Sequence, residues 1–244
     1  GTENVLWLDA ASFFVSAGII GLVVAAPAPV KKEAQTGDYF GEMRDGFRFI
    51  LRDKLILAIV FTVMLTNFLD AIFWGVVRPV YVKQVFDDAL NLGLLIAVNG
   101  GGAVIGGLLF AAIGHRLPRH ATFVFAFMLA GMQFWIYALQ PSFIVLLVST
   151  LITSIGAGPL NPIMGAIEFE RVPADMRGRV LGAIGAGAWL SIPFGMLLGG
   201  VWTDLFGTYP LLIALGVTYF LTTLSMAFIP AMKEMNRKAA VPEA

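Results

Sequence analysis

Seven long apolar segments, separated by short polar gaps, dominate the hydrophobic pattern of this chain. They run approximately over 5–26, 55–77, 93–113, 121–139, 143–167, 180–203 and 210–231. Each is close to the ~20 residues that an α-helix needs to cross a hydrocarbon core ~30 Å thick. The pattern therefore predicts an all-α polytopic membrane protein with seven transmembrane helices.

The positive charges are distributed unevenly among the gaps. Of the 16 Lys and Arg residues, only Arg78 and Lys83 fall outside one alternating set of gaps, which comprises 27–54, 114–120, 168–179 and the tail after 231. Positive charge collects on the cytoplasmic side of membrane proteins. We therefore expect the N-terminus outside and the C-terminus in the cytoplasm.

Composition excludes several classes of function. Hydrophobic residues make up 58% of the chain and charged residues 13%, and there is no cysteine. A soluble domain usually has ~25% charged residues. No phosphate-binding glycine motif and no Ser/His/Asp arrangement is present, so we expect neither an enzyme nor a bound cofactor. The net charge of zero gives no reason to expect a nucleic-acid partner.

The gap 27–54 contains an amphipathic pattern. Apolar residues recur there at helical spacing, and arginines four apart occupy another face (Phe40, Met43, Phe47, Ile50 and Leu51; Arg44, Arg48 and Arg52). This spacing predicts a helix at the cytoplasmic membrane surface, with its arginines toward lipid phosphates. It serves either as a structural connector or as a regulatory segment.

The six segments after this gap show an internal repeat. The middle segment of each triplet, 93–113 and 180–203, is rich in glycine and has a small-xxx-small pair, Gly102/Gly106 and Gly195/Gly199 respectively. Such pairs allow close helix crossings. Two triplets of matching character and opposite orientation are typical of the 3+3 inverted repeat of secondary transporters.

A specific motif lies at 172–180, with the sequence Val-Pro-Ala-Asp-Met-Arg-Gly-Arg-Val. It resembles the signature between helices 10 and 11 of a bacterial major facilitator branch that includes the enterobactin exporter and macrolide efflux pumps. The stretches 8–13, 45–49 and 193–207 resemble, in family order, helix 6, the run before helix 7 and the end of helix 11.

The resemblance covers nearly the whole chain and implies a domain division. Residues 1–26 would be helix 6, 27–54 a cytoplasmic connector, 55–231 the six-helix C-terminal bundle, and 232–244 a cytoplasmic tail. Helices 1–5 would come from the missing part of the same transporter or from a partner chain. The other expected partners are the lipid bilayer and a small-molecule substrate.

Asp70 is the main candidate for chemistry. It lies well inside the segment 55–77, and Asn67 and Trp74 share its helix face. An unpartnered carboxyl group in hydrocarbon is expected to be protonated, because desolvation disfavours the charged form. A group that exchanges a proton when a cavity opens to water would suit a proton antiporter. The alternative is an Asp that pairs with a polar group of the missing helices and only stabilises the bundle.

Other polar residues in the apolar segments are weaker candidates. Asn99, Ser154 and Asn161 could line a cavity, and Pro159 and Pro162 should kink or break their helix. We expect Gln133, in a segment that the resemblance makes peripheral, to form a helix–helix hydrogen bond. Arg78 is expected to extend to the outer surface of the membrane.

Two cytoplasmic loops carry candidate gate residues. Arg116 and Arg119 match a loop motif of the family, although His115 stands where the family has an acid. The 168–179 loop adds Arg177, Gly178 and Arg179, which belong either to a surface salt-bridge network or to an inner gate. His115 and His120 have a possible zinc spacing, which the two neighbouring arginines disfavour, so no metal site is expected.

These features predict one half of a secondary active exporter. It would move a small amphipathic compound, such as a drug or a siderophore, outward by alternating access coupled to protons. The rival hypotheses are a non-transporting regulatory half that docks on a transporter, and a seven-helix receptor. The receptor is disfavoured because no ligand lysine or receptor motif is present.

Overall fold

A computed structural model describes residues 2–23 and 39–236. The chain divides into two units, Gly1–Tyr39 and Phe40–Ala244. The first unit contains helix α1, Thr2–Val23, whose large apolar side chains are exposed, as expected of a helix that meets lipid. Residues 24–38, which include the first part of the predicted connector, and residues 237–244, in the predicted tail, lie outside the described residues.

The second unit is helical throughout its described part. Its helices are α2 Tyr39–Arg52, α3 Lys54–Ile72, α4 Arg78–Phe86, α5 Ala89–Ile113, α6 Arg119–Ala138, α7 Phe143–Ala157, α8 Leu160–Arg171, α9 Arg177–Phe206, α10 Thr208–Phe228 and the short α11 Pro230–Lys233. A π-helical turn, Phe73–Val77, joins α3 to α4. The described residues contain no strand, and seven of their helical stretches are long and apolar enough to span a membrane, which confirms the predicted fold class.

The long helices pair in a way that agrees with an inverted repeat. Helix α5 packs on α7, α9 packs on α3, and α6 packs on α10. The first triplet of apolar segments forms α3–α4, α5 and α6, and the second forms α7–α8, α9 and α10. Exchanging the two triplets therefore converts the α5–α7 pair into the α9–α3 pair and leaves the α6–α10 pair unchanged. Both predicted glycine pairs lie at these crossings, since Gly106 faces the backbone of Ile155 and Gly195 faces that of Phe68. Glycine is needed there because a Cβ would overlap the facing helix.

An aromatic cluster fills the centre of the unit. Phe73, Phe134, Tyr137 and Tyr219 are each at most 2% exposed. The ring centroids of Phe73 and Phe134 are 5.1 Å apart, and those of Phe134 and Tyr219 are also 5.1 Å apart. These distances fall within the range of favourable aromatic pairs. Helices α6 and α10 therefore supply much of the core, although their sequences suit lipid along their whole length.

Helix α2 packs against the end of the bundle at which α3 and α9 begin. Ile50 is buried in a small apolar cluster with Ile56, Val180 and Ala183. Gly46 lies so close to the carbonyl oxygen of Arg179 that a Cβ would approach it to 2.9 Å. Met43 and Phe47 remain exposed. The amphipathic segment thus divides its apolar residues between the bundle and the surface.

Ion pairs connect the helix ends on this same side. Arg171 lies 2.9 Å from Asp53 and 2.6 Å from Glu234, and Arg119 lies 2.6 Å from Glu170. Asp53 also caps α3, because its Oδ1 accepts hydrogen bonds from the amides of residues 55 and 56. We call Asp53, Arg171 and Glu234 the ion-pair clamp. It joins the start of α3, the end of α8 and the segment after α10.

The two functions of Asp53 can be separated by mutation. We expect Asp53→Ala to lower the free energy of unfolding by about 1–3 kcal/mol, because it removes both the cap and the ion pair. Asp53→Asn should lose less, since asparagine caps helices as well as aspartate does. Thermal unfolding of the purified variants in one detergent measures the difference. Equal losses would contradict a capping role for this residue.

Candidate functional site

A cavity of about 290 Å³ lies inside the second unit, between α3, α5, α6, α7, α8 and α10. Its wall is polar for a membrane protein, because it includes Thr66, Asn67, Asp70, Trp74, Asn99, Gln133, Thr153, Ser154, Asn161 and Tyr219. The five residues predicted to contact substrate or protons, which are Asp70, Asn67, Trp74, Asn99 and Asn161, all belong to this wall. The fold therefore brings them together from three separate apolar segments.

Asp70 is the only Asp or Glu among the residues that line this cavity. The side-chain amide of Gln133 donates a hydrogen bond to its Oδ1 over 3.5 Å. Within the described part of the chain, no ion pair involves Asp70. The carboxyl group thus has a neutral donor beside it and a cavity in front of it, so it can change its charge without breaking a salt bridge.

Asn67 and Asn99 each bridge one of the two equivalent helix pairs, α3–α9 and α5–α7. Asn67 donates through Nδ2 to the carbonyl oxygen of Ala188 on α9 at 2.9 Å. Asn99 donates through Nδ2 to Oγ of Ser154 on α7 at 2.6 Å. Each amide therefore connects two paired helices while its side chain borders the cavity. Both residues contribute to packing as well as to the polarity of the wall.

A second depression, of about 360 Å³, lies between α3 and α9. Asn67, Asp70 and Trp74 border it too, together with apolar side chains such as Ile192 and Met196. The face of α3 that carries Asp70 therefore separates a polar cavity from an apolar groove. A compound with one polar and one apolar end would find both environments next to the same carboxyl group.

The proline-containing segment breaks its helix beside the cavity. Helix α7 ends at Ala157 and α8 begins at Leu160, with Pro159 between them. Gly158, at this break, lies against the backbone of Gly106 on α5. Both Gly158 and Asn161 line the cavity. The predicted break therefore opens the helix where it faces the polar space.

The candidate gate residues of the 114–120 and 168–179 loops are not gathered in one cluster. Arg116 is exposed and donates to the ring of His115, whereas Arg119 pairs with Glu170. Arg177 donates to the carbonyl oxygens of Phe169 and Val172. Gly178 has open space around its Cβ position, and the carbonyl of Arg179 contacts α2 at Gly46. Among the described residues, no group of three His, Asp or Glu side chains could hold a metal ion.

The prediction for Arg78 is wrong. Its side chain does not extend to the membrane surface but is 1% exposed, and its guanidinium carbon lies 4.3 Å from the centre of the Trp74 ring. Arg78 directly follows the π-helical turn, and the Trp74 ring lies over its guanidinium group inside the bundle. The predicted helix–helix hydrogen bond of Gln133 exists, but its acceptor is Asp70 and it lies on the cavity wall.

Most of the chain matches one known protein family. A sequence profile described as the Major Facilitator Superfamily matches residues 59–243. The chain belongs to the Major Facilitator Superfamily. The resemblance to this superfamily is thereby confirmed, and membership supports a non-enzymatic, multi-pass membrane protein.

Several curated proteins are similar to this major facilitator chain. The multidrug efflux pump Tap of Mycobacterium tuberculosis is 24% identical over 237 residues, which cover 97% of this chain and 56% of that protein. Tap of Mycolicibacterium fortuitum is 24% identical over 238 residues, or 97% of this chain and 58% of that protein. An uncharacterized MFS-type transporter of Bacillus subtilis, YwfA, is 27% identical over 128 residues, or 50% of this chain and 31% of that protein. The chain thus spans just over half the length of the Tap proteins.

Proposed function

We propose that this chain is the C-terminal half, preceded by helix 6, of a secondary active exporter that moves small amphipathic compounds outward in exchange for protons. The observation that carries the proposal is a single carboxyl group, Asp70, on the wall of a polar cavity within the membrane-spanning bundle. The names of the Tap relatives, which are multidrug efflux pumps, support the direction and the broad class of substrate.

The surroundings of Asp70 support proton coupling. The charged form of Asp70 accepts a hydrogen bond from the side-chain amide of Gln133. The neutral form is favoured whenever the cavity is closed to water, because desolvation disfavours the charge. A cationic or polar group of the substrate would compete with the proton for the same oxygen atoms. Opening the cavity to either side of the membrane would then allow the bound proton and the bound substrate to replace each other at Asp70.

A second half is needed to complete the site. Glycines on the surfaces of α5 and α9 have no heavy atom within 4 Å of their Cβ positions (Gly100, Gly101 and Gly107; Gly182, Gly185 and Gly200). Large apolar side chains beside them, such as Leu108 and Trp189, are exposed. Small residues on exposed membrane helices suit close packing of further helices. We assign this surface to the missing helices 1–5, supplied by the rest of the transporter or by a partner chain.

The membrane orientation and the gate belong to the same proposal. The charge distribution supports an inner-membrane protein with its C-terminus in the cytoplasm. Exposed Arg116 and half-buried Arg177 and Arg179 then lie on the cytoplasmic side, as does exposed Gly178. In the inward-closed state, we expect these arginine side chains to meet acidic groups of the missing half. The ion pair of Arg119 with Glu170 stays within this chain.

The proposal is tested by transport in inside-out membrane vesicles. The chain is expressed with the missing half, and accumulation of ethidium is followed after a proton gradient is imposed. We expect accumulation that a protonophore abolishes and that neither half produces alone. If both halves are present and assembled but neither ethidium nor any other amphipathic dye moves, the transport function is wrong.

A further inference from the structure

A group of unsatisfied polar side chains lies outside the cavity, around the start of α4. We call Arg78, Tyr81 and Tyr137 the Arg78 cluster. Their exposed fractions are 1%, 2% and 2%. The Tyr81 and Tyr137 ring centroids are 5.1 Å apart, and Tyr137 in turn lies 5.0 Å from the ring of Phe73. The cluster is therefore enclosed by aromatic rings of α4, α6 and the π-helical turn.

Within the described chain, none of the five buried polar side-chain atoms of the cluster has a partner in good hydrogen-bond geometry, although Tyr137 interacts electrostatically with Arg78 and lies near Thr150. These atoms are Nε, Nη1 and Nη2 of Arg78 and the hydroxyl oxygens of Tyr81 and Tyr137. The guanidinium group carries only donors, whereas each phenol oxygen can both donate and accept, so the donors of the cluster outnumber its acceptors. A buried donor without an acceptor loses its hydration without compensation, so several such donors in one place require a common acceptor.

The charge of Arg78 is also uncompensated. None of the ion pairs among residues 39–236 includes it, and Asp70, two helical turns earlier, borders the cavity instead. Trp74 contacts one face of the guanidinium group. Such a cation–π contact stabilises a buried cation by less than the penalty for burying an unpaired ion, so the ring does not offset that penalty.

We propose that the Arg78 cluster binds a small monovalent anion, which is chloride under cellular conditions. The guanidinium N–H groups and the hydroxyls of Tyr81 and Tyr137 would donate to it. A monatomic anion fits because it accepts several donors in any direction, and because the enclosed aromatic surroundings favour a small ligand over a phosphate or a sugar acid. The bound anion would neutralise Arg78 and hold α4, α6 and the π-helical turn together. This inference rests on the geometry of the cluster and does not depend on the proposed transport function.

The test compares thermal unfolding of the purified chain in chloride, bromide and gluconate at constant ionic strength. A ligand that binds only the folded state raises the melting temperature with its concentration. We expect chloride and bromide to raise the melting temperature by about 2–4 °C relative to gluconate, which is too large for the site. In crystals grown with bromide, an anomalous peak should lie beside the Arg78 guanidinium.

Variants distinguish this site from a general effect of salt. Tyr137→Phe keeps the ring and removes one donor, so the half-maximal chloride concentration should rise about tenfold, the factor for one lost hydrogen bond to a charged partner. Arg78→Leu should make the melting temperature independent of chloride. The control Tyr209→Phe, at an exposed tyrosine, should retain the full chloride effect.

Three results would overturn the proposal. They are an equal melting temperature of the unmodified chain in chloride and gluconate, a chloride effect that survives in Arg78→Leu, and an unchanged chloride dependence in Tyr137→Phe. If Arg78→Leu does not fold, the chloride dependence of Tyr137→Phe and the anomalous bromide peak still show whether the Arg78 cluster binds an anion. None of these measurements uses transport, so their failure and the failure of the exporter proposal are separate outcomes.

Discussion

Efflux by the assembled transporter should lose its response to a proton gradient when Asp70 is replaced by asparagine. Asparagine has nearly the same shape and can still accept the hydrogen bond of Gln133, but it cannot take up a proton. We therefore expect gradient-driven efflux to fall to the background of vesicles without the transporter. Exchange of labelled for unlabelled substrate, which needs no net proton movement, should continue.

Proton release during substrate binding gives a second measurement of the same residue. Substrate added to the unmodified protein in weakly buffered detergent should release protons, and substrate added to Asp70→Asn should release none. Asp204→Asn serves as the control, because Asp204 is an exposed carboxylate near the end of α9. Gradient-driven efflux in Asp70→Asn at the unmodified rate would remove Asp70 from the coupling mechanism. A lower melting temperature with intact coupling would assign it a structural role.

Gly106→Ala should destabilise the bundle, whereas the neighbouring substitution Gly107→Ala should not. A methyl group at Gly106 would overlap the carbonyl group of Ile155, which belongs to the facing backbone and cannot rotate away. Gly107 has no heavy atom within 4 Å of its Cβ position. Alanine is favoured over glycine inside a helix by ~1 kcal/mol, and overpacking costs ~1–3 kcal/mol. The overlap therefore makes alanine destabilising at Gly106, whereas the helix preference of alanine makes it neutral or stabilising at Gly107.

Thermal unfolding in detergent measures the effects of Gly106→Ala and Gly107→Ala on stability. In a chain of this length, the melting temperature shifts by about 2–4 °C for each kcal/mol. The second triplet offers an independent repetition. At Gly195 a Cβ would lie 2.5 Å from the carbonyl oxygen of Phe68, whereas Gly200 has open space. We expect Gly195→Ala to lower the melting temperature and Gly200→Ala to leave it unchanged or raise it. Equal effects within either pair would contradict the described helix crossing.

Hydrophobic periodicity predicts the helices well because each one must meet the thickness of a membrane. The differences arise where a helix continues into polar sequence. The apolar segment 55–77 stops before Arg78, yet the structure continues as α4 to Phe86. Proline at the second position of α4 does not stop it, and α3, the π-helical turn and α4 form one continuous helical stretch. The start of α5 at Ala89 could have been found, since Asp88 is a typical N-cap.

The cavity wall was only partly predictable. Asp70, Asn67 and Trp74 share one helix face, so their common environment follows from local spacing. Gln133 and Tyr219 reach the same cavity from α6 and α10, and only the packing of those helices shows it. The burial of Arg78 was missed for a related reason. A charged residue at the end of an apolar segment normally extends to the surface, and the π-helical turn that prevents this has no recognisable sequence signal.

The turn at Phe73–Val77 also makes this helix tolerant of a change in chain length. A π-helical turn accommodates one residue more than an α-helical turn, so it has the geometry of a single-residue insertion absorbed into a continuous helix. Removing one residue there would restore a regular α-helical turn and leave the residues on both sides in nearly their present orientation. Arg78 and Tyr81 would still face Tyr137. Two related chains could therefore differ by one residue between Asp70 and Arg78 and still orient both side chains alike.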